Sequence, residues 1–103
     1  MLGPGKADLL ELIGETGSIA AAGRRMKMSY KRAWSLVEAM NAAFTEPLVD
    51  SSRGGQGGGG ARLTPAGEAV LARYRRLEAS AAEAGAEEIA AIAGMLRDMS
   101  GGK

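Results

Sequence analysis

The stretch Ser18-Ile19-Ala20-Ala21-Ala22-Gly23-Arg24-Arg25-Met26-Lys27-Met28-Ser29-Tyr30-Lys31-Arg32-Ala33-Trp34-Ser35 carries two helix starts with a tight connection between them. Ser18 is a good N-cap, because its hydroxyl can accept from a free backbone N–H in the next turn. A short helix follows from Ile19 to Met26, and its run Ala20, Ala21, Ala22, Gly23 offers side chains small enough for another helix to approach closely. Lys27-Met28 makes the turn. Ser29 is the second N-cap, and the helix behind it runs from about Tyr30 to Phe44. Glu46-Pro47 closes that helix, since the residue before a proline avoids helical backbone angles.

Upstream, residues 7–15 read as a first helix. Ala7, Leu9, Leu10, Leu12 and Ile13 recur at helical spacing, with Asp8, Glu11 and Glu15 outside that face. Thr16-Gly17 ends it. Downstream the period changes. Leu48 to Ser51 reads as a short strand and Ala61 to Leu63 as its return. Between them, residues 54–60 hold six glycines in seven positions. The result is a hairpin with a long tip flanked by Arg53 and Arg62. Thr64-Pro65 opens the last helix with an N-cap and a proline at the first helical position. That helix is expected to reach about Met99, with Gly85 as the place for a kink or break. The order is helix, helix, tight turn, helix, hairpin, long helix. It predicts a mainly α chain with a small two-stranded β-hairpin, arranged as a winged helix-turn-helix. Residues 1–80 are assigned to that domain. Residues 64–99 are assigned to a long C-terminal helix continuous with it.

Length and composition bound the function. The 103 residues suit one domain. With 13 Lys+Arg against 12 Asp+Glu the net charge is +1, so any electrostatic argument must be local. Residues 24–32 hold five cations and no acid, whereas residues 78–103 hold five acids against two cations. With no cysteine and no histidine, disulfide scaffolds, the usual zinc sites and His- or Cys-based catalysis are excluded. Carboxylates are scattered along helix surfaces, so no enzyme, metal or cofactor is expected. No secretion signal is visible, and the longest apolar and glycine run, Ile89 to Leu96, is eight residues, too short to cross a bilayer. A cytoplasmic location is expected.

On a wheel at ~100° per residue, Tyr30, Ala33, Trp34, Leu36, Val37, Met40 and Phe44 share one broad face of the third helix. Lys31, Arg32, Ser35 and Glu38 share the other. The first two turns of that polar face are where a recognition helix meets the major groove. Lys and Arg can donate to guanine, and Ser can serve either base type. Tyr30 and Trp34 lie at the edges of the apolar face, one turn apart. Packing is their first reading, and the Tyr30 hydroxyl also offers a phosphate contact. Ser18 and Ser29 are caps first, at helix starts that can also meet phosphate. The glycine tip lacks the Lys-Ser or Lys-Thr of a nucleotide-binding loop. As a wing it lets backbone lie against a phosphate ridge, with Arg53 and Arg62 supplying charge.

These residues carry a resemblance. Glu15-Thr16-Gly17-Ser18-Ile19, then Met28-Ser29-Tyr30-Lys31-Arg32-Ala33-Trp34, Met40-Asn41, Pro47-Leu48-Val49, the glycine tip, and Ala61-Arg62-Leu63-Thr64-Pro65-Ala66-Gly67-Glu68 are similar to the N-terminal domain of the ModE family of molybdate-responsive transcription regulators. The resemblance covers roughly residues 7–80 and implies a LysR-type winged helix-turn-helix, DNA binding and dimerisation. Two departures stand out. Where the family usually has glycine in the turn, this chain has Lys27, and a non-glycine residue at positive φ costs roughly 1 kcal/mol while adding charge beside the DNA. The family's molybdate-binding domains have no counterpart before Lys103, so no small-molecule effector is expected of this chain.

The expected function is sequence-specific binding of double-stranded DNA by a homodimer, on a palindromic operator. Val70, Leu71, Tyr74 and Leu77 suffice to close the domain. Ala81, Ala84, Ile89, Ile92, Leu96 and Met99 then form an apolar stripe for a second copy, and the eight alanines of residues 79–93 favour close helix packing. The alternative is an interaction module of the same fold that has lost DNA binding and pairs with a full-length regulator. Such a module should have exchanged Lys31 and Arg32 for apolar or acidic residues, and it has not.

Overall fold

The computed structural model describes residues 2–51 and 60–96. The elements are α1 (Pro4–Thr16), α2 (Ile19–Arg25), α3 (Tyr30–Ala43), β1 (Val49–Ser51), β2 (Ala61–Leu63), α4 (Pro65–Ala84) and α5 (Ala86–Met95). The expected order is present. α1 begins three residues earlier than the apolar spacing indicates, because Pro4 occupies its first turn, where a missing N–H goes unnoticed. At its other end Gly17 takes φ 71° and donates to Ile13 O at 2.8 Å, a left-handed cap that glycine adopts without penalty.

The three N-caps form as read. Ser18 Oγ accepts from Ala21 N–H at 3.0 Å, Ser29 Oγ from Arg32 N–H at 3.1 Å, and Thr64 Oγ1 from Gly67 N–H at 2.9 Å. The core lies where α1, α2, α3 and the hairpin base meet. Leu9, Leu10 and Ile13 enter from α1, Ile19 and Ala22 from α2, Ala33, Val37 and Met40 from α3, and Leu48 and Val49 from the hairpin. α2 and α3 approach closely at Gly23, where a Cβ would stand 3.0 Å from Ala33 Cβ.

Several boundaries move. α3 stops at Ala43 with Phe44 already extended, one residue short of the expected end. Leu48 precedes the strand rather than starting it. β1 and β2 pair antiparallel in the register Val49 with Leu63, Asp50 with Arg62 and Ser51 with Ala61. The last helix divides at Gly85, the place read for a kink or break. α4 ends at Gly85, which also starts α5 without a side-chain cap, and α5 ends at Met95 with Leu96 extended. Met99 lies outside the described residues.

Side chains far apart in sequence fasten the hairpin and α4 to the rest. Asn41 Oδ1 accepts from Leu48 and Val49 N–H at 2.8 and 3.1 Å, and its Nδ2 donates to Val49 O at 3.1 Å. Arg75 on α4 bonds Asp8 and Glu11 on α1 at 2.7 Å each and Glu78 at 3.0 Å. Those three carboxylates, Asp8 first, hold its guanidinium charged well above its ordinary range.

Candidate nucleic-acid interface

The two serine caps fix where α2 and α3 begin, and the turn between them fixes their relation. Lys27 sits in that turn at φ 60°, the left-handed value anticipated for the usual glycine position. The turn is closed by Lys27 N–H on Arg24 O and Met28 N–H on Gly23 O, both at 3.0 Å. The Lys27 side chain is therefore displayed at the corner of the helix pair, exposed to solvent.

α3 turns Ala33, Val37 and Met40 into the core. The opposite side is left exposed and carries Lys31, Arg32, Ser35 and Glu38. Among the described residues no carboxylate pairs with Lys27, Lys31 or Arg32. Their charge is thus available to an external anion. Arg25 lies 4.0 Å from Glu15, a long, exposed pair worth little.

Ala61 N–H donates to Gly17 O at 2.9 Å, so the hairpin base is bonded to the turn between α1 and α2. This places the hairpin beside the starts of α2 and α3. Ser18, Tyr30, Trp34, Gly60 and Ala61 border one shallow groove. Arg62 is strongly exposed at the hairpin edge. Sequence reading missed its neighbour: Asp50 stands opposite in register, 3.7 Å away, and offsets part of that charge. The strand lengths that set this pairing are obscured by the glycine run. Arg53 lies outside the described residues.

Along α4, Val70 and Leu71 pack on the core as expected, and Tyr74 is half-buried. Leu77 does not: it is 62% exposed and belongs with the uncovered stripe. Ala81, Ala84, Ile89, Ile92 and Leu96 are all exposed, Ile92 at 59% and Leu96 at 71%, and Met95 joins them. Nothing in α5 is buried. No cluster of three or more metal-binding side chains occurs among the described residues, and none of their helices is long and apolar enough to cross a membrane.

Residues 6–68, which span the helix-turn-helix and reach past the hairpin, match the bacterial regulatory helix-turn-helix proteins of the lysR family. The chain belongs to this family. Relatives of this lysR-type chain include the molybdenum-pterin-binding protein MopB of Rhodobacter capsulatus, 49% identical over 80% of this chain and 30% of that protein. The molybdenum transport protein ModE of Herbaspirillum seropedicae is 40% identical over 89% of this chain and 36% of its own length. The chain thus spans about a third of the curated relatives it matches. Among solved structures, the CbnR_DBD–DNA complex superposes with a TM-score of 0.68 at 26% identity, covering 88% of this chain and 99% of that one. The fold is the winged helix-turn-helix of lysR-type DNA-binding domains.

Proposed function

We propose that this chain is a sequence-specific DNA-binding transcriptional regulator, or the DNA-binding part of one. α3 enters the major groove, Lys27 and the starts of α2 and α3 meet phosphates, and the hairpin acts as the wing. Residues 1–80 form the DNA-binding domain. The segment 64–99 pairs two copies, so that two α3 helices address a palindromic operator about one DNA turn, or a multiple, apart. The observation that carries the reading is the outward side of α3, where exposed Lys31, Arg32 and Ser35 are left without acidic partners among the described residues. No catalytic role is proposed, and the cytoplasm, where bacterial DNA lies, is the proposed location.

Selection of bound fragments from a random duplex pool by the purified chain tests this. The expected result is an inverted-repeat motif. Binding to no duplex even at low salt would replace it with the alternative of an interaction module that pairs with a full-length regulator.

A further inference from the structure

Tyr30 is the first residue of α3, and Trp34 lies one turn further on. Their rings meet edge to face, with centroids 6.3 Å apart and planes at 87°. The Trp34 indole N–H donates to the Tyr30 hydroxyl oxygen. Trp34 is half-buried and packs against the edge of the core, whereas Tyr30 is 55% exposed, so the core holds the indole and the indole in turn supports the Tyr30 ring.

The hydrogen-bond chemistry has one direction. An indole N–H can only donate, whereas a phenol both accepts and donates. The Tyr30 oxygen is therefore the acceptor, and its own proton must go elsewhere. Among the described residues no group accepts it. Accepting one hydrogen bond also polarises the hydroxyl and strengthens it as a donor. We infer that Trp34 is a positioning residue that fixes the Tyr30 hydroxyl as an outward donor to a DNA phosphate oxygen. This rests on the DNA-binding reading and adds a neutral contact, with its support, to the cationic ones.

Location selects phosphate over a base edge. The pair stands on the flank of α3 that faces α2 and the hairpin, in the groove bordered by Ser18, Ala20, Gly60 and Ala61. Apart from Ile19 the rest of that lining is small, so a phosphodiester ridge can come close, and among the described residues no carboxylate lines the groove to repel it. The outward face of α3, with Lys31 and Ser35, points elsewhere and is left for the bases. A phosphate oxygen is an ionised acceptor, the kind of partner that makes a hydroxyl contact strong.

The test compares the full chain with Tyr30→Phe, Trp34→Phe and the double variant. Each is titrated by fluorescence anisotropy onto the selected operator and onto a scrambled duplex, across a salt series. Tyr30→Phe is expected to weaken both duplexes alike, roughly tenfold, with an unchanged salt slope, because a neutral donor releases no counterion. Trp34→Phe should cause most of the same loss, and almost none once Tyr30 is already Phe. Thermal melts of the variants establish that the fold persists; Tyr30→Phe removes only an exposed hydroxyl and keeps the test valid even if Trp34→Phe melts early. Unchanged affinity of Tyr30→Phe overturns the inference and leaves the DNA-binding reading intact. A loss confined to the operator overturns it in favour of base contact. A Trp34→Phe loss that persists undiminished in the Tyr30→Phe background reduces Trp34 to packing. If the parent chain binds no duplex, the DNA-binding reading and this inference fall together.

Discussion

Gly67 sits directly beneath the carbonyl of Leu48, so close that a Cβ built on it would overlap the Leu48 oxygen and stand 3.0 Å from its carbon. The same oxygen accepts Thr64 N–H at 2.9 Å, and Thr64 Oγ1 donates to Pro47 O at 2.7 Å. The first turn of α4 is thereby pressed onto the chain entering β1, with backbone on both sides and no flexible side chain to yield. Gly67→Ala should destabilise the fold by about 2–3 kcal/mol or more, read as a lowered midpoint in urea unfolding. A wild-type midpoint would show that the two segments can separate without loss.

Lys27 holds a left-handed backbone conformation that a side chain opposes. Lys27→Gly removes that strain of roughly 1 kcal/mol but frees the unfolded chain, for a small net gain of up to about 0.5 kcal/mol. The same change removes a charge at the corner of the helix pair, so DNA affinity should fall and the salt slope should flatten by about one unit per chain. Stability and binding moving in opposite directions is the signature. If binding is unchanged, the Lys27 ammonium does not reach the phosphates.

Arg32 is expected to read a base. Arg32→Ala should cost ~1–3 kcal/mol on the selected operator and relax the motif at about one position per half-site. Repeating the selection with the variant checks this, and an identical motif would remove Arg32 from the groove.

Arg62 and Asp50 face each other across the hairpin. If the wing works through charge, Arg62→Ala weakens binding to all duplexes alike, and Asp50→Asn strengthens it, because the carboxylate both repels phosphate and draws on the arginine. Both exposed changes should leave thermal stability nearly unaltered. Equal affinities for all three proteins would make the hairpin edge a bystander.

The uncovered side chains of α4 and α5 predict association. Replacing both Ile89 and Ile92 by Glu should convert a dimer into a monomer in sedimentation velocity at micromolar concentration, with the helical signal of residues 4–84 retained. An exposed apolar stripe of this extent is a liability without a partner. A dimer that survives both changes would place the contact elsewhere.

The sequence is most legible where causes are local. Ser18, Ser29 and Thr64 cap helices through atoms three residues away, and each is readable from its residue type and from the helix-forming residues behind it. Apolar spacing yields the buried face of α3, and the resemblance points to positive φ at Lys27. Contacts between distant segments are not legible in this way. Asn41 reads as an ordinary polar residue near a helix end; only the returning chain at Leu48 and Val49 gives it partners. Arg75 is 67 residues from Asp8, and Gly67 resembles any helix glycine until Leu48 lies against it. Leu77 fits the helical pattern as well as Val70 does, yet the fold leaves it 62% exposed. The pairing of Asp50 depends on a strand register that the glycine run leaves undetermined.

The bond from Ala61 N–H to Gly17 O ties the hairpin base to the turn that precedes α2. Its backbone is consequently already ordered before any ligand arrives. Docking at this end of the hairpin surrenders little conformational entropy, so contacts made there convert more fully into affinity than they would on a free loop. The helix starts and the β-ladder meet a duplex as one preorganised surface, and a change that severs this single bond should be felt first as a binding entropy rather than as a lost contact.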